Sequence, residues 1–296
     1  MTTPSVLFDR RLLARRRARA ARAPELPDFL LTRVAEDFAE RLAIVRREFP
    51  VAVNLGAHHG VIGRALAPLA NVGDVIDVEL APELIPPGAR AVAADEEALP
   101  FAEGSVDLVV SGLSLQLVND LPGALIQICR ALKADGLFLG ALLGGDSLKE
   151  LREAWLIAED EICGGASPRV APFADVRDLG GLLQRAGFAL PVVDSDSITV
   201  TYPSALHLMR EIKAMGASNM LQDRRRVPVT RGLLLRVIEI YADRFSRPDG
   251  RIAATFEIIS MTAWAPHESQ PKPLRPGSAE QRLADVLGAK KSKDFQ

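Results

Sequence analysis

The residues of this sequence best placed to do chemistry are those of the turn Asn54-Leu55-Gly56-Ala57-His58-His59-Gly60, which follows an apolar run at 51–55 and opens a helical pattern. Glycines at 56 and 60 remove side chains, so that backbone amides and a helix N-terminus can come close to a polar ligand. A second component is Asp77, 21 residues after Gly56 and near the end of the next apolar run, where a carboxylate is expected to accept hydrogen bonds from ribose hydroxyls. Glu79 is the reserve for that role. The third is Ala94-Asp95-Glu96-Glu97-Ala98-Leu99-Pro100-Phe101, whose acids Asp95 and Glu96 can accept the exocyclic amine of an adenine while Leu-Pro-Phe walls its ring. A fourth run, 106–111, delivers Ser111 to the same mouth. The set thus reads as acceptors and bare backbone arranged for a nucleoside.

Other reactive types fall short of a constellation. His58 and His59 are adjacent on a turn, where their side chains point apart, and no carboxylate partner has recognisable spacing, so no metal site is expected. Cys129 and Cys163 form no CxxC pair and neither lies near a histidine, which excludes a disulfide framework and a zinc site and fits a reducing, cytoplasmic compartment. Cys129 falls in the helical pattern 121–132 and reads as a buried structural thiol. Ligands of open α/β sheets bind beyond strand C-termini, which makes Asp146 a catalytic candidate, although a carboxylate at a helix start is also explained by the helix dipole. Tyr202 and His267 are weaker candidates, because surface or core hydrogen bonding accounts for either.

Positioning these groups requires a core, and 296 residues with 48% hydrophobic and 25% charged content suffice for one large core or two smaller ones. The apolar stretch 136–145 is well short of the roughly 20 residues that cross a bilayer. Strand-like runs at 51–55, 74–78, 89–93, 106–111 and 137–142 alternate with helical patterns at 62–69 and 121–132, Gly136 standing where a C-cap belongs, as in βα units of a parallel sheet. After the fifth run, Ser147-Leu148-Lys149-Glu150 has the form of a capping box, and Leu148, Leu151, Trp155, Ala158 and Ile162 make one face of a helix that Gly164-Gly165 stops. Asp175 caps a further helix ended by Gly187, with Phe188 folding back; helical segments 204–215 and 230–245 separate two more strands, 192–201 and 253–264, that can return antiparallel at the sheet edge.

The expected organisation is a basic helical arm over 1–45, a main domain over 46–266 with its cofactor half at 51–145 and a helical insertion and edge strands at 146–266, and a Pro- and Lys-rich tail over 267–296 that holds at most one element, at 279–287. Within residues 1–23 seven arginines stand against Asp9 alone, while the rest of the chain carries a net charge of −8. Such an arm resembles a transit peptide in composition, and also suits a solvated helix face or a basic helix that meets anionic lipid or an acidic partner. The acidic remainder, with no aromatics interleaved among the arginines, speaks against nucleic acid.

The succession D-x-x-x-L-P-F at 95–101, S-x-D-L-V at 105–109 and L-K-x-x-G-x-F at 132–138 resembles the class I S-adenosylmethionine-dependent methyltransferases. NAD binding by an ordinary Rossmann domain is the competing reading. The resemblance implies a Rossmann-like α/β fold, a mostly parallel seven-stranded sheet with helical insertions after strand 5, and S-adenosylmethionine bound by Asn54, Gly56, Gly60, Asp77, Asp95, Glu96 and Ser111. That family's first turn reads acid-x-Gly-x-Gly-x-Gly, and Asn54 and His58 depart from it; a Cβ and ring at 58 intrude where the cofactor's methionine part should pass, so weakened binding is expected.

A broader resemblance covers most of the chain. Phe8-Asp9-Arg10, Leu113-Ser114-Leu115, Val118-Asn119-Asp120-Leu121-Pro122, Gly144-Gly145-Asp146-Ser147-Leu148, Glu150-Leu151-Arg152, Ser167-Pro168, Pro172-Phe173, Met215-Gly216, Ser218-Asn219, Trp264 and His267-Glu268-Ser269-Gln270 are similar to the respiratory complex I assembly factor 5 family of protein arginine hydroxylases. This implies a factor that hydroxylates one arginine of the quinone-module subunit of NADH:quinone oxidoreductase, in the bacterial cytoplasm or peripheral to the inner membrane, or in the mitochondrial matrix of a eukaryote. It also makes the arm part of the mature protein. An acidic mouth containing Asp120 and Asp146 would attract the substrate arginine. Gln116 and Leu117 stand where the family usually has His-Trp, and the four histidines, 58, 59, 207 and 267, include no H-x-D/E pair, so a hydroxylase mechanism is not legible in the residues. Two further readings stand beside this one: a methyltransferase for a small metabolite or carrier-bound acyl group, and a non-catalytic assembly chaperone with a degraded cofactor site.

Overall fold

The computed structural model describes residues 6–271, and among them the alternating runs become seven strands. These are β1 (Phe49–Leu55), β2 (Val72–Glu79), β3 (Ala91–Ala93), β4 (Val106–Gly112), β5 (Leu132–Leu143), β6 (Ala189–Tyr202) and β7 (Ile252–Trp264). They form one sheet in the order β3-β2-β1-β4-β5-β7-β6. The first five pair in parallel, and β7 runs antiparallel to both of its neighbours. Chain order reverses between β1 and β4, which is where open α/β sheets form their ligand crevice. Every residue of β4 is buried, as a central parallel strand covered on both faces requires.

The helices are α1 (Arg10–Ala20), α2 (Phe29–Ala43), α3 (Val61–Leu66), α4 (Leu121–Ala131), α5 (Lys149–Cys163), α6 (Val176–Arg185), α7 (Ala205–Ala214) and α8 (Arg231–Phe245). One core cluster joins α2, α3, α5, α7 and α8 to the sheet through Phe38, Ile62, Trp155, Leu208 and Val237. A second joins α4 and α6 through Leu125, Ile128, Leu179 and Leu183. A third, small cluster of Phe8, Leu13, Leu117, Ala171, Met220 and Leu221 docks the start of the chain. The chain divides into two units, Met1–Pro266 and His267–Gln296. No helix among the described residues is long and apolar enough to cross a membrane.

Several local signals give the boundaries they specify. The Asp175 carboxylate accepts the Arg177 amide at 2.8 Å, and Thr230 Oγ1 accepts that of Leu233 at 3.3 Å. Gly164 closes α5 at φ +66°. Gly187, at φ +96°, turns the chain so that the Phe188 ring stacks on Phe138 with centroids 5.5 Å apart. Other expectations are corrected. Residues 147–150 do not form a capping box: α5 starts after Leu148 at φ +55°, the Ser147 hydroxyl donates to Glu257 O and accepts from Glu257 N, both at 3.0 Å, and Glu150 takes the Thr255 amide at 3.1 Å. The cause lies in β7, whose edge extends past the end of β5 and leaves backbone groups at Thr255 and Glu257 to be satisfied by this segment. Gly136 is no C-cap either; α4 ends at Ala131, and Gly136 lies within β5, after a left-handed Asp135 at φ +62°. Ile162, assigned to the inner face of α5, is 50% exposed. The element expected at 279–287 lies outside the described residues.

Candidate functional site

The turn after β1 is stitched to β2 by the amides of Gly56 and Ala57, which donate to Val78 O at 2.8 and 3.0 Å. Gly56 has φ +71°, and a Cβ there would overlap the Ser114 side chain and lie 3.3 Å from Glu96 Oε1, so only glycine suits the position. Gly60, at φ +78°, caps α3. Between them His58 holds φ +50°, a left-handed conformation that costs a side-chain-bearing residue about 1–2 kcal/mol. Its amide donates to Glu79 Oε2 at 2.9 Å, and its ring Nε2 is 3.2 Å from Gly112 O. Burial, reinforced by the neighbouring Arg17 guanidinium, pushes the imidazole down to about 4.

Facing this turn is a set of acids closed over by α1. Glu79, the last residue of β2, is fully buried, and its Oε1 accepts the Ala81 amide at 3.0 Å and Arg17 Nη1 at 3.1 Å. Arg17 is itself 3% exposed and reaches Ser114 Oγ at 3.3 Å and Glu96 Oε1 at 3.6 Å. Glu96 accepts the Ser114 hydroxyl and Arg10, whose guanidinium also meets Asp95 at 2.6 Å. Burial would raise the Glu96 carboxyl, but Arg17, Arg10 and the Ser114 hydroxyl hold it down to about 2. Arg10, Leu13, Arg17 and Ala20 recur at threes and fours and so share the inner face of α1. Phe8 and Leu13 anchor the helix in the third cluster, and the Phe8 amide donates to Asn119 Oδ1 at 2.7 Å.

Of the residues singled out from sequence, Gly56, Asp95 and Glu96 come together here. Asn54 and Asp77 pair with each other, Nδ2 to Oδ1 at 2.9 Å, in register across β1 and β2 and beneath α3, where a Cβ at Gly63 would lie 3.3 Å from Asp77. Burial raises the Asp77 carboxyl. Asp77 therefore serves a helix–sheet junction, and its reserve, Glu79, stands at the mouth one pleat further along. Ser111 is fully buried in β4, with an unpartnered hydroxyl, as is Asn54 Oδ1. Asp146 is 62% exposed and pairs with Lys149 at 3.2 Å, and Asp120 caps α4 by accepting the Gly123 amide at 2.8 Å, so neither joins the acids of the mouth. The buried Tyr202 hydroxyl donates to Glu211. His267 belongs to the second unit, with Nδ1 2.7 Å from Ser269 Oγ. Cys129 is half-buried, and burial raises its thiol. The residues missed were Arg10, Arg17 and Ser114. For the arginines a signal existed, their seven-residue spacing around Leu13.

Beside the acids lies an apolar chamber. A cavity of about 280 Å³ is walled by Leu117, Leu143, Leu151, Trp155, Met209 and Phe256. A smaller one of about 100 Å³ reaches Arg17 and His58 and shares Leu30, Gln116, Leu117 and Leu143 with the first. Arg169 stacks on Trp155 at 4.7 Å from the ring centroid and donates through Nε to Glu159 at 2.8 Å. The site thus pairs a polar, acceptor-rich cleft at the ends of β1 and β2 with a chamber suited to a second, largely apolar reactant.

The sequence model described as "Methyltransferase domain" matches residues 53–140, which include the turn, the acids and β4. Among solved structures, the YcgJ protein of Bacillus subtilis aligns with a TM-score of 0.54 at 16% identity, over 79% of this chain and 99% of its own, a likeness of fold. A malonyl-[acyl-carrier protein] O-methyltransferase of Halorhodospira halophila is 36% identical over 87% of this chain and 88% of its own length. The mitochondrial arginine-hydroxylase NDUFAF5 of Rattus norvegicus is 41% identical over 96% of this chain and 85% of its own, and that of Homo sapiens 41% over 94% and 83%. With the fold, the glycine turn and similarity over nearly the whole length in agreement, this chain is an enzyme of the methyltransferase superfamily and belongs to the arginine-hydroxylase NDUFAF5 family.

Proposed function

We propose that this protein hydroxylates an arginine of the quinone-module subunit of NADH:quinone oxidoreductase and acts in the assembly of that complex. The geometric observation that carries the reading is the 280 Å³ cavity: its apolar walls suit the methylene stem of an arginine, and Trp155 offers a π face of the kind that already stacks a guanidinium, that of Arg169. Replacing C–H by C–OH removes two electrons from the substrate carbon, so an oxidant such as dioxygen, with two electrons from a reductant, must take part. The residues of the cleft fit an S-adenosyl nucleoside: Gly56 admits no Cβ, and Glu79, Glu96 and Asp95 gather acceptors for hydroxyl and amine donors. When bound, that cofactor would supply an electrophilic sulfonium, which serves methyl transfer and is not the oxidant of the hydroxylation. Glu79 and Asp95 would orient its nucleoside, and Leu117 and Leu143 would keep water from the reacting end.

The test is deletion of the gene, followed by peptide mapping of the quinone-module subunit. Loss of one oxygen from a single arginine peptide is the expected result. Loss of a methylene unit would instead favour methyl transfer, a reading supported by the malonyl-carrier methyltransferase of Halorhodospira halophila, and an unchanged peptide with failed assembly would favour a chaperone. We also assign the outer face of α1, where Arg11, Arg15 and Arg19 are exposed with Arg22 just beyond, to contact with an acidic partner or anionic membrane surface.

A further inference from the structure

Donors of the chain itself stand on the acceptors that a nucleoside needs. Both oxygens of Glu79 are engaged, Oε1 by the Ala81 amide and Arg17, Oε2 by the His58 amide. Both oxygens of Glu96 are engaged as well, Oε1 by Ser114 with Arg17 3.6 Å away, Oε2 by Arg10, which also holds Asp95. A guanidinium presents N–H donors and positive charge. A nucleoside with a sulfonium and an ammonium set against one carboxylate presents hydroxyl and amine donors together with net positive charge. The two therefore satisfy the same acids by the same chemistry, and Arg17, at 3% exposure, holds the position between Glu79 and Glu96.

Three carboxylates at 79, 95 and 96 without a counter-charge would repel one another, so the arginines hold the acids together. Their helix is held from outside the cleft too. Phe8 and Leu13 are buried, and at Gly216 a Cβ would come within 3.3 Å of the Arg17 Cα. We propose that α1 is a latch on the cofactor cleft: Arg17 and Arg10 stand in for the cofactor's donors, so arm docking and nucleoside binding exclude one another, and loading requires α1 to lift.

The proposal rests on the reading that the cleft takes an S-adenosyl nucleoside, and the experiment separates the two. In the full-length protein, amide hydrogen exchange over residues 10–20 is followed with and without S-adenosylmethionine, and its affinity is measured by calorimetry. Three proteins are compared: the wild type, an Arg10→Gln/Arg17→Gln variant, and a Phe8→Ala/Leu13→Ala variant that loosens the arm while leaving every charged group of the cleft in place. The expected result is faster exchange over 10–20 in the presence of ligand and about tenfold tighter binding by both variants, since neither ligand nor protein then has to displace a docked arm. Slower exchange with ligand, and weaker binding by the variants, would make the arginines cofactor ligands and overturn the latch alone. No binding by any of the three would overturn the nucleoside reading and the latch with it.

Discussion

The acid cluster under α1 and the cavity walled by Leu117, Leu143 and Trp155 are made of opposite materials. The cluster is closed by ion pairs, those of Glu79, Glu96 and Arg17 buried, the cavity by leucine, methionine and aromatic side chains that leave space unfilled. An ion-paired wall depends on every partner being present, whereas an apolar wall tolerates a change of shape. The polar side is thus specific and brittle, and the apolar side adaptable, a division that suits the cofactor and the arginine substrate proposed for them.

The contrast is broken most directly by removing Arg17. Arg17→Ala leaves Glu79 buried and uncompensated and is expected to lower unfolding stability by about 3–5 kcal/mol, read from urea denaturation, with much of the loss restored by adding Glu79→Gln. A cost under about 1 kcal/mol would mean that the cleft is wet and the distinction false. On the apolar side, Leu151→Ala should cost about 2 kcal/mol, the low end for a buried leucine, because its neighbours face a cavity into which they can relax.

Titration should sharpen the same comparison. His58 is held below its ordinary value, so the unfolded chain takes up the proton first and stability falls as pH drops from about 6.5 towards about 4. Glu96, also depressed, contributes stability above about 4.5 that disappears as pH falls towards about 2. Thermal melts across this range should show His58→Gln flattening the upper part of the decline and Glu96→Gln the lower; parallel curves for all three proteins would contradict the assignment. The smallest effect belongs to His58→Gly. Relief of a left-handed side chain is offset by added chain entropy, so stability should move by less than about 1 kcal/mol. Calorimetry with S-adenosylmethionine should nevertheless give tighter binding, and unchanged affinity would absolve the histidine.

What could be read in the sequence was what neighbours in the chain decide. Apolar runs located β1 to β7 and helical spacings located α3 to α8, and the signals at Asp175, Gly164 and Gly187 declared themselves because each acts within a few residues. The errors arose where distant partners decide. Ser147 and Glu150 have the spacing of a capping box, but the bare edge of β7 more than a hundred residues on claims both. Asp77 has the conventional spacing from Gly56, yet Asn54 opposite it in the parallel register engages it, and the carboxylate at the strand's last position takes the mouth instead. The basic arm was visible as composition. That two of its arginines turn inward could have been suspected from Leu13 between them, but their partners lie 62 to 107 residues away.

One consequence of α1 concerns timing. Its inward arginines, 10 and 17, and its outward ones, 11, 15 and 19, sit on a single rigid helix of 11 residues. A surface that grips the outer row therefore pulls on the inner pair as a hand on a lever moves both ends. Loading of the enzyme would then be coupled to its arrival at the assembling complex, and a molecule adrift would remain locked.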